Sequence, residues 1–108
     1  MSTATVTLTK DLASVLPAAN AKYGKTTITV VDSAGASQSA DVTGVETPPW
    51  TAVFSNVAAV AGATGTASYQ DFDVNGLAIA GFAGKTTFTE IGSPATFPGT
   101  TGISVAIA

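Results

Sequence analysis

Short segments in which apolar and polar residues alternate recur along the chain, and this period-two pattern limits the fold more than any other feature. It is clearest in Thr5-Val-Thr-Leu-Thr9 and in Lys25-Thr-Thr-Ile-Thr-Val-Val-Asp32. Successive side chains of a β-strand point to opposite faces of a sheet, so these segments place their apolar residues on one face. We therefore interpret both as strands with one buried face.

Further segments of this kind follow, and turn-forming residues separate them. The pattern predicts strands over residues 36–42, 50–56, 66–73, 77–82, 85–90 and 103–108. Asp32-Ser-Ala-Gly35 and Asp73-Val-Asn-Gly76 resemble each other and fit tight turns, because Asp favours the first turn position and Gly accepts positive φ. They predict two similar hairpins.

The segments between these strands are predicted to be irregular. Residues 57–65 are rich in Ala and Gly and indicate a flexible link, and residues 92–99 indicate a loop with two prolines. Residues 11–16 have apolar positions at helical spacing, and Pro17 limits them to a short helix. The whole pattern predicts an all-β fold, an immunoglobulin-like β-sandwich of about seven or eight short strands.

Composition sets the size and excludes several kinds of chemistry. The 108 residues suit a single β-sandwich domain spanning 1–108. The chain has no Cys and no His, and all four of its basic residues are Lys, scattered along a chain of net charge −3. Disulfides, thiolate nucleophiles and His-based catalysis are therefore excluded, and we expect no enzyme activity and no cofactor. A nucleic-acid interface needs a basic stripe, so we expect no such partner.

The N-terminus has no basic region followed by an apolar one, so it does not predict a secretory signal. No stretch approaches the roughly 18 apolar residues of a membrane helix. With Met1 as the natural start, we expect synthesis in the cytosol, no export by the general route and no membrane association.

One segment matches the opening of a calcium-binding loop. Asp71-Phe-Asp-Val-Asn-Gly76 has the pattern D-x-D-x-N-G, which makes Asp71, Asp73 and Asn75 the candidate metal ligands. The twelfth loop position, which holds a Glu in EF-hands, is Phe82 here. The alternative is a solvated strand end that runs into an Asn-Gly turn, and we prefer it, since calcium needs six to eight oxygens. We therefore expect no metal site.

Trp50 and Tyr69 are the candidate contacts for a ligand or partner, because aromatic rings can stack on sugar rings. The alternative for Trp50, which we prefer, is a core anchor, since one aromatic side chain can bury about 150–250 Å².

Three segments give the chain a resemblance to a known group of proteins. They are Thr27-Ile-Thr-Val-Val-Asp-Ser-Ala-Gly35, Glu46-Thr-Pro-Pro-Trp-Thr-Ala-Val-Phe-Ser-Asn-Val57 and Ser68-Tyr-Gln-Asp-Phe-Asp-Val-Asn-Gly-Leu-Ala-Ile79. In them the chain resembles immunoglobulin-like and fibronectin type III-like modules of bacteriophage virion proteins. The resemblance implies a passive structural or attachment role with no catalytic residues, although the Cys–Trp–Cys core of antibody domains is missing.

The expected function is a non-catalytic virion module, on the capsid surface or in the tail, made in the host cytoplasm. Its partners would be other virion proteins, copies of itself or cell-surface glycans. The alternatives are a small carbohydrate-binding lectin, calcium-assisted through the three candidate ligands, and a domain excised from a bacterial adhesin.

The last segment, Ile103 to Ala108, is apolar on both alternating sets except at Ser104. One of its faces cannot stay in water comfortably, so we expect residues 103–108 to be buried. The cover is either the rest of the same chain or a neighbouring subunit, and we expect the protein to function as a subunit packed against others.

Overall fold

In a computed structural model of the chain, residues 3–11, 23–43, 49–91, 95–97 and 102–108 are described, and all of their regular structure is β-strand. The strands are β1 (Thr3–Lys10), β2 (Tyr23–Val31), β3 (Ser37–Thr43), β4 (Trp50–Ala58), β5 (Thr64–Asp73), β6 (Ala78–Thr89), β7 (Ala95–Thr96) and β8 (Ile103–Ile107). The helix expected at residues 11–16 lies, apart from Asp11, outside the described residues. No helix long and apolar enough to cross a membrane occurs in the described part of the chain.

The strands form two antiparallel four-stranded sheets. Sheet A has the order β4-β1-β8-β7, and sheet B has the order β3-β2-β5-β6. The two sheets pack face to face, so the predicted all-β sandwich is confirmed. The immunoglobulin-like part of the prediction, which concerns the strand order, is not confirmed by this arrangement.

The core lies between the sheets and follows from the alternation seen in the sequence. In β1, Val6 and Leu8 point inward, and in β2 Ile28 and Val30 do so, each with 1% of its surface exposed or less. Fully burying such a side chain stabilises a fold by about 1.5–3 kcal/mol. The rest of the core cluster consists of Trp50, Ala52, Phe54, Val57, Ala67, Tyr69, Phe88, Phe97, Ile103 and Val105.

A β-bulge in β4 corrects the sequence interpretation of residues 57–65. Val6 pairs with Phe54 but Ala4 pairs with Val57, so β4 has an extra residue, and Asn56 takes a φ of 61° there. The bulge turns Val57 and Ala58 into the core. The link between the strands is therefore shorter than the predicted 57–65: β4 ends at Ala58, a hydrogen-bonded turn follows at residues 60–63, and β5 starts at Thr64.

Two other boundaries also differ from the prediction. The two strands expected at 77–82 and 85–90 are one strand, β6, whose pairing with β5 shifts register between Ala78 and Ala83, where Gly81 adopts a φ of 84°. The expected loop at 92–99 contains the short strand β7, which pairs with β8 at Ala95 and Thr96.

The C-terminal strand is buried on one face only. β8 lies between β1 and β7, with Ile103 2% and Val105 0% exposed, while Ala106 and Ala108 are exposed. The burial expected for residues 103–108 is therefore correct for one alternating set and wrong for the other. The same chain supplies that cover.

The two predicted hairpin turns are confirmed and share one hydrogen-bond pattern. Gly35 N donates to Asp32 O at 3.0 Å, and Gly76 N donates to Asp73 O at 3.0 Å. Each Asp also accepts two backbone N–H groups at Oδ1, from the residues two and four positions ahead. Gly35 and Gly76 have φ values of 84° and 82°, which glycine adopts without steric cost.

Candidate functional site

The structure does not bring the three candidate calcium ligands to a common point. Asp71 faces the interior with no exposed surface. Asp73 uses its Oδ1 to accept Asn75 N at 2.9 Å and Leu77 N at 3.0 Å, and Asn75 is exposed at the turn. No group of three or more His, Cys, Asp or Glu side chains among the described residues could hold a metal ion. The sequence interpretation of a solvated strand end is therefore wrong for Asp71.

Both candidate aromatic contacts lie in the core. Trp50 is 7% and Tyr69 is 8% exposed, and the Tyr69 ring meets the Phe97 ring edge-on, with centroids 5.4 Å apart. The core-anchor interpretation of Trp50 is confirmed. Neither residue presents an open ring face on which a sugar could stack.

Three polar side chains, Lys10, Thr26 and Asp71, are buried between the sheets beside the half-buried Tyr23, and we refer to these four as the Asp71 cluster. Thr26 Oγ1 donates to Asp71 Oδ1 at 2.6 Å. Because a hydroxyl has one proton, the Thr26 oxygen is left to accept from the Tyr23 hydroxyl, 2.6 Å away. The result is a chain of hydrogen bonds that runs from Tyr23 through Thr26 to Asp71.

Strand register places this cluster. Thr26 and Asp71 are direct partners in the β2–β5 ladder, and Lys10 is the last residue of β1, paired with Trp50 and Ile103. Lys10 follows Val6 and Leu8 on the inward-facing set of β1, so its side chain enters the interior, where it is 3% exposed. A lysine in this register is the sequence signal that could have identified the cluster.

Burial dominates the electrostatics of the cluster. It raises the pKa of the Asp71 carboxyl above its ordinary value, against the opposing effects of the Thr26 hydrogen bond and the Lys10 charge. It also lowers the pKa of Lys10, against the attraction of Asp71, and raises the pKa of Tyr23. Both members of the acid–amine pair are thereby shifted towards their neutral forms.

One oxygen of the cluster is left without a hydrogen-bond partner. Asp71 Oδ2 is fully buried and accepts no hydrogen bond from any described residue. Buried polar atoms are rarely left unsatisfied, since each costs about 1–3 kcal/mol. This atom marks the cluster as the most unusual chemical feature of the described structure.

Two further buried carboxyl groups, those of Asp32 and Glu90, lie at the opposite end of the sandwich. Glu90, 1% exposed, accepts Ser33 N at 2.6 Å and Ser33 Oγ at 2.8 Å. Asp32 Oδ2 accepts Ala58 N, across the two sheets, at 3.3 Å. These acceptors are occupied by the protein itself, so the pair fixes a turn and offers no free group for chemistry.

An open cleft of about 500 Å³ lies where the edge strand β6 faces β7. It is lined by Lys85, Thr86, Thr87 and Thr96, and Thr86 Oγ1 donates to Thr96 O at 3.2 Å. The lining provides hydroxyls and one ammonium group, which suit hydrogen bonding to uncharged or anionic groups.

Comparison with known proteins finds no match: no family model, no curated protein and no solved structure is similar to the chain.

Proposed function

We propose that the chain is a non-catalytic structural module of a bacteriophage virion, on the capsid surface or in the tail. It would work by packing against other virion proteins or copies of itself. The observation that carries the packing role is a set of large apolar side chains exposed at both ends of an elongated sandwich.

The sandwich measures 46 × 22 × 19 Å. At one end, the β5–β6 turn exposes 60% of Val74 and 65% of Leu77. At the other, Val60 and Ile91 are 45% and 52% exposed on segments that the Glu90 N to Ala63 O hydrogen bond holds together. Burial of each such side chain at an interface adds up to about 1.5–3 kcal/mol. An elongated module with apolar residues at both ends is suited to contacts at its ends.

The outer faces of the sheets favour the same role. Outward positions of β1 and β2 include Thr5, Thr7, Thr27 and Thr29, and charged residues make up only 10% of the chain. A surface with few charges is cheap to desolvate, because little ionic hydration has to be removed.

Attachment to cell-surface glycans, the work of the alternative lectin, has one feature in its favour. The cleft beside β6 presents the hydroxyls of Thr86 and Thr87 next to the Lys85 ammonium, and such groups can hydrogen-bond sugar hydroxyls. Trp50 and Tyr69 add nothing to it, because both are in the core.

The test is binding of the purified chain to virus particles whose gene for it has been deleted. We expect mass spectrometry to find the chain in wild-type particles and expect saturable add-back to deleted ones. Val74→Ser with Leu77→Ser should weaken add-back at least about tenfold, since about 1.4 kcal/mol corresponds to that factor. Val53→Thr, an equally exposed site on a sheet face (59%), is the matched control and should bind normally. Absence of the chain from particles, or no add-back, would overturn the proposal.

A further inference from the structure

Lys10 and Asp71 lie at the same height in the sandwich, on opposite sheets. The Ala58 N to Asp32 Oδ2 hydrogen bond joins the sheets at one end. In sheet A, Thr3 pairs with Ala58, and Lys10 lies seven residues further along β1. In sheet B, Thr26 lies six residues before Asp32 and pairs with Asp71. At about 3.3 Å per residue, Lys10 and Asp71 are therefore equally far from this hydrogen bond along the strands, to within about one residue.

The two side chains together can span the space between the sheets. Packed sheets are about 10 Å apart. A lysine stem reaches about 6 Å from its Cα, given bond lengths near 1.5 Å, and an aspartate adds about 2.5 Å from the other side. Both side chains are directed inward, with 3% and 0% of their surfaces exposed. The amine and the carboxyl group are therefore directed into the same part of the core, and the two side chains are long enough to meet there.

We propose that Lys10 and Asp71 form an intramolecular amide bond, which joins β1 of sheet A to β5 of sheet B through the core. The orphaned, buried Oδ2 of Asp71 is the atom that this reaction removes. An amide also replaces two buried ionisable groups, whose charged forms the interior disfavours, with a neutral group.

The groups around Asp71 suit the reaction. The neutral amine of Lys10 attacks Cγ of the protonated Asp71 carboxyl group, and the negative charge that develops on Oδ1 is held by the Thr26 hydroxyl, already 2.6 Å away. A proton passes from the nitrogen to Oδ2, the Cγ–Oδ2 bond breaks, and Oδ2 leaves as water. One C–N bond forms, one C–O bond breaks, and no oxidant or reductant is needed.

The protonation states required are those that the interior favours. Burial raises the pKa of the Asp71 carboxyl and lowers the pKa of the Lys10 amine. The exposed Lys25–Asp41 ion pair is the useful contrast: its atoms are only 3.3 Å apart, but the side chains are 39% and 46% exposed. That pair is solvated, and no amide is expected there.

Intact-mass spectrometry of the purified, folded chain tests the proposal directly. We expect a mass lower than that of the sequence by one water molecule. Digestion with trypsin should leave Lys10 uncleaved and give one species in which residues 1–22 are joined to residues 26–85.

Lys10→Arg keeps the charge but cannot form the bond, so its mass should equal that of its sequence. Lys25→Arg, at the solvated pair, is the matched control and should keep the loss of water. A full sequence mass for the wild-type chain overturns the proposal whether or not any variant folds. A loss of water that persists in Lys10→Arg also overturns it, because a cyclised Asp elsewhere would then be the source.

Discussion

The two ends of the sandwich treat buried carboxyl groups in opposite ways. At the end formed by Asp32 and Glu90, every carboxylate oxygen accepts a hydrogen bond, most of them from backbone N–H groups. At the other end, Asp71 has one accepted hydrogen bond and one buried oxygen with none among the described residues. The carboxylates of Asp32 and Glu90 hold a turn in place through their hydrogen bonds. Hydrogen bonding to the backbone does not explain why Asp71 is buried.

The comparison is sharpest for Glu90, where we expect the largest loss of stability. Glu90→Ala removes both acceptors of Ser33 and leaves a backbone N–H without its partner. We expect the free energy of unfolding to fall by about 3 kcal/mol, measured by urea denaturation. Glu90→Gln keeps one acceptor oxygen and should lose less. A change within about 0.5 kcal/mol for Glu90→Ala would show that the hydrogen bonds at this end contribute little.

At the Asp71 end the expected effect is on pH dependence. Burial raises the pKa of Asp71, whereas the charge of Lys10 lowers it. Lys10→Met removes that charge, so the pKa of Asp71 stays raised in the folded variant. A carboxyl group whose folded pKa is raised contributes most stability below its unfolded pKa, and that contribution is lost as pH rises towards the folded pKa. Stability of this variant should therefore fall above about pH 4, by at most about 1.4 kcal/mol per pH unit.

The control for this pH profile is the double variant Lys10→Met with Asp71→Asn, which lacks the titrating group. Urea unfolding at a series of pH values should give a flatter profile for the double variant. Parallel profiles would contradict the raised pKa.

The two turns that begin at Asp32 and Asp73 allow a matched comparison, in which the expected loss of stability is smaller than for Glu90. Asp32 and Asp73 accept equivalent turn hydrogen bonds, but Asp32 is 9% exposed and also accepts Ala58 N from the other sheet. Asp32→Ala should therefore destabilise the fold by about 2 kcal/mol and Asp73→Ala by about 1 kcal/mol. Equal losses of melting temperature would show that the contact between the sheets adds nothing.

The smallest effect is expected where the two turns are most alike. A Cβ added at Gly35 or Gly76 would meet no atom within 4 Å, so only the positive φ opposes a side chain there. Gly35→Ala and Gly76→Ala should each cost about 1 kcal/mol. If thermal denaturation showed clearly unequal losses of stability for the two variants, the backbone conformations of the two turns would not be equivalent.

Alternation of side chains was enough to predict most strands, because strand faces here are simply buried or exposed. It also predicted both Asp–Gly turns, since their hydrogen bonds are local. It missed the bulge at Asn56 and the short strand β7, which depend on partners far away in the sequence. A pattern in one segment contains no information about its partner strand.

The site was predicted less well than the fold. The turn that Asp73 and Asn75 favour beside Asp71 predicts a solvated carboxyl group there, and the sequence interpretation makes no prediction for the side chain of Lys10. Strand register places both, since each residue occupies an inward position of its strand. Attention to charged residues on the apolar set of a strand would have identified the pair.

The pairing of β1 with β8 has a consequence for how the chain acquires its structure. Sheet B is built from two local hairpins, β2–β3 and β5–β6, whereas Thr5 and Ala108 exchange backbone hydrogen bonds of 2.9 and 3.0 Å between distant parts of the sequence. Contacts of such large sequence separation form slowly, because loop-closure entropy must be overcome first. On the ribosome, sheet B and the β1–β4 pair can therefore assemble before residues 103–107 emerge, and until then the edge of β1 that pairs with β8 lacks its partner strand.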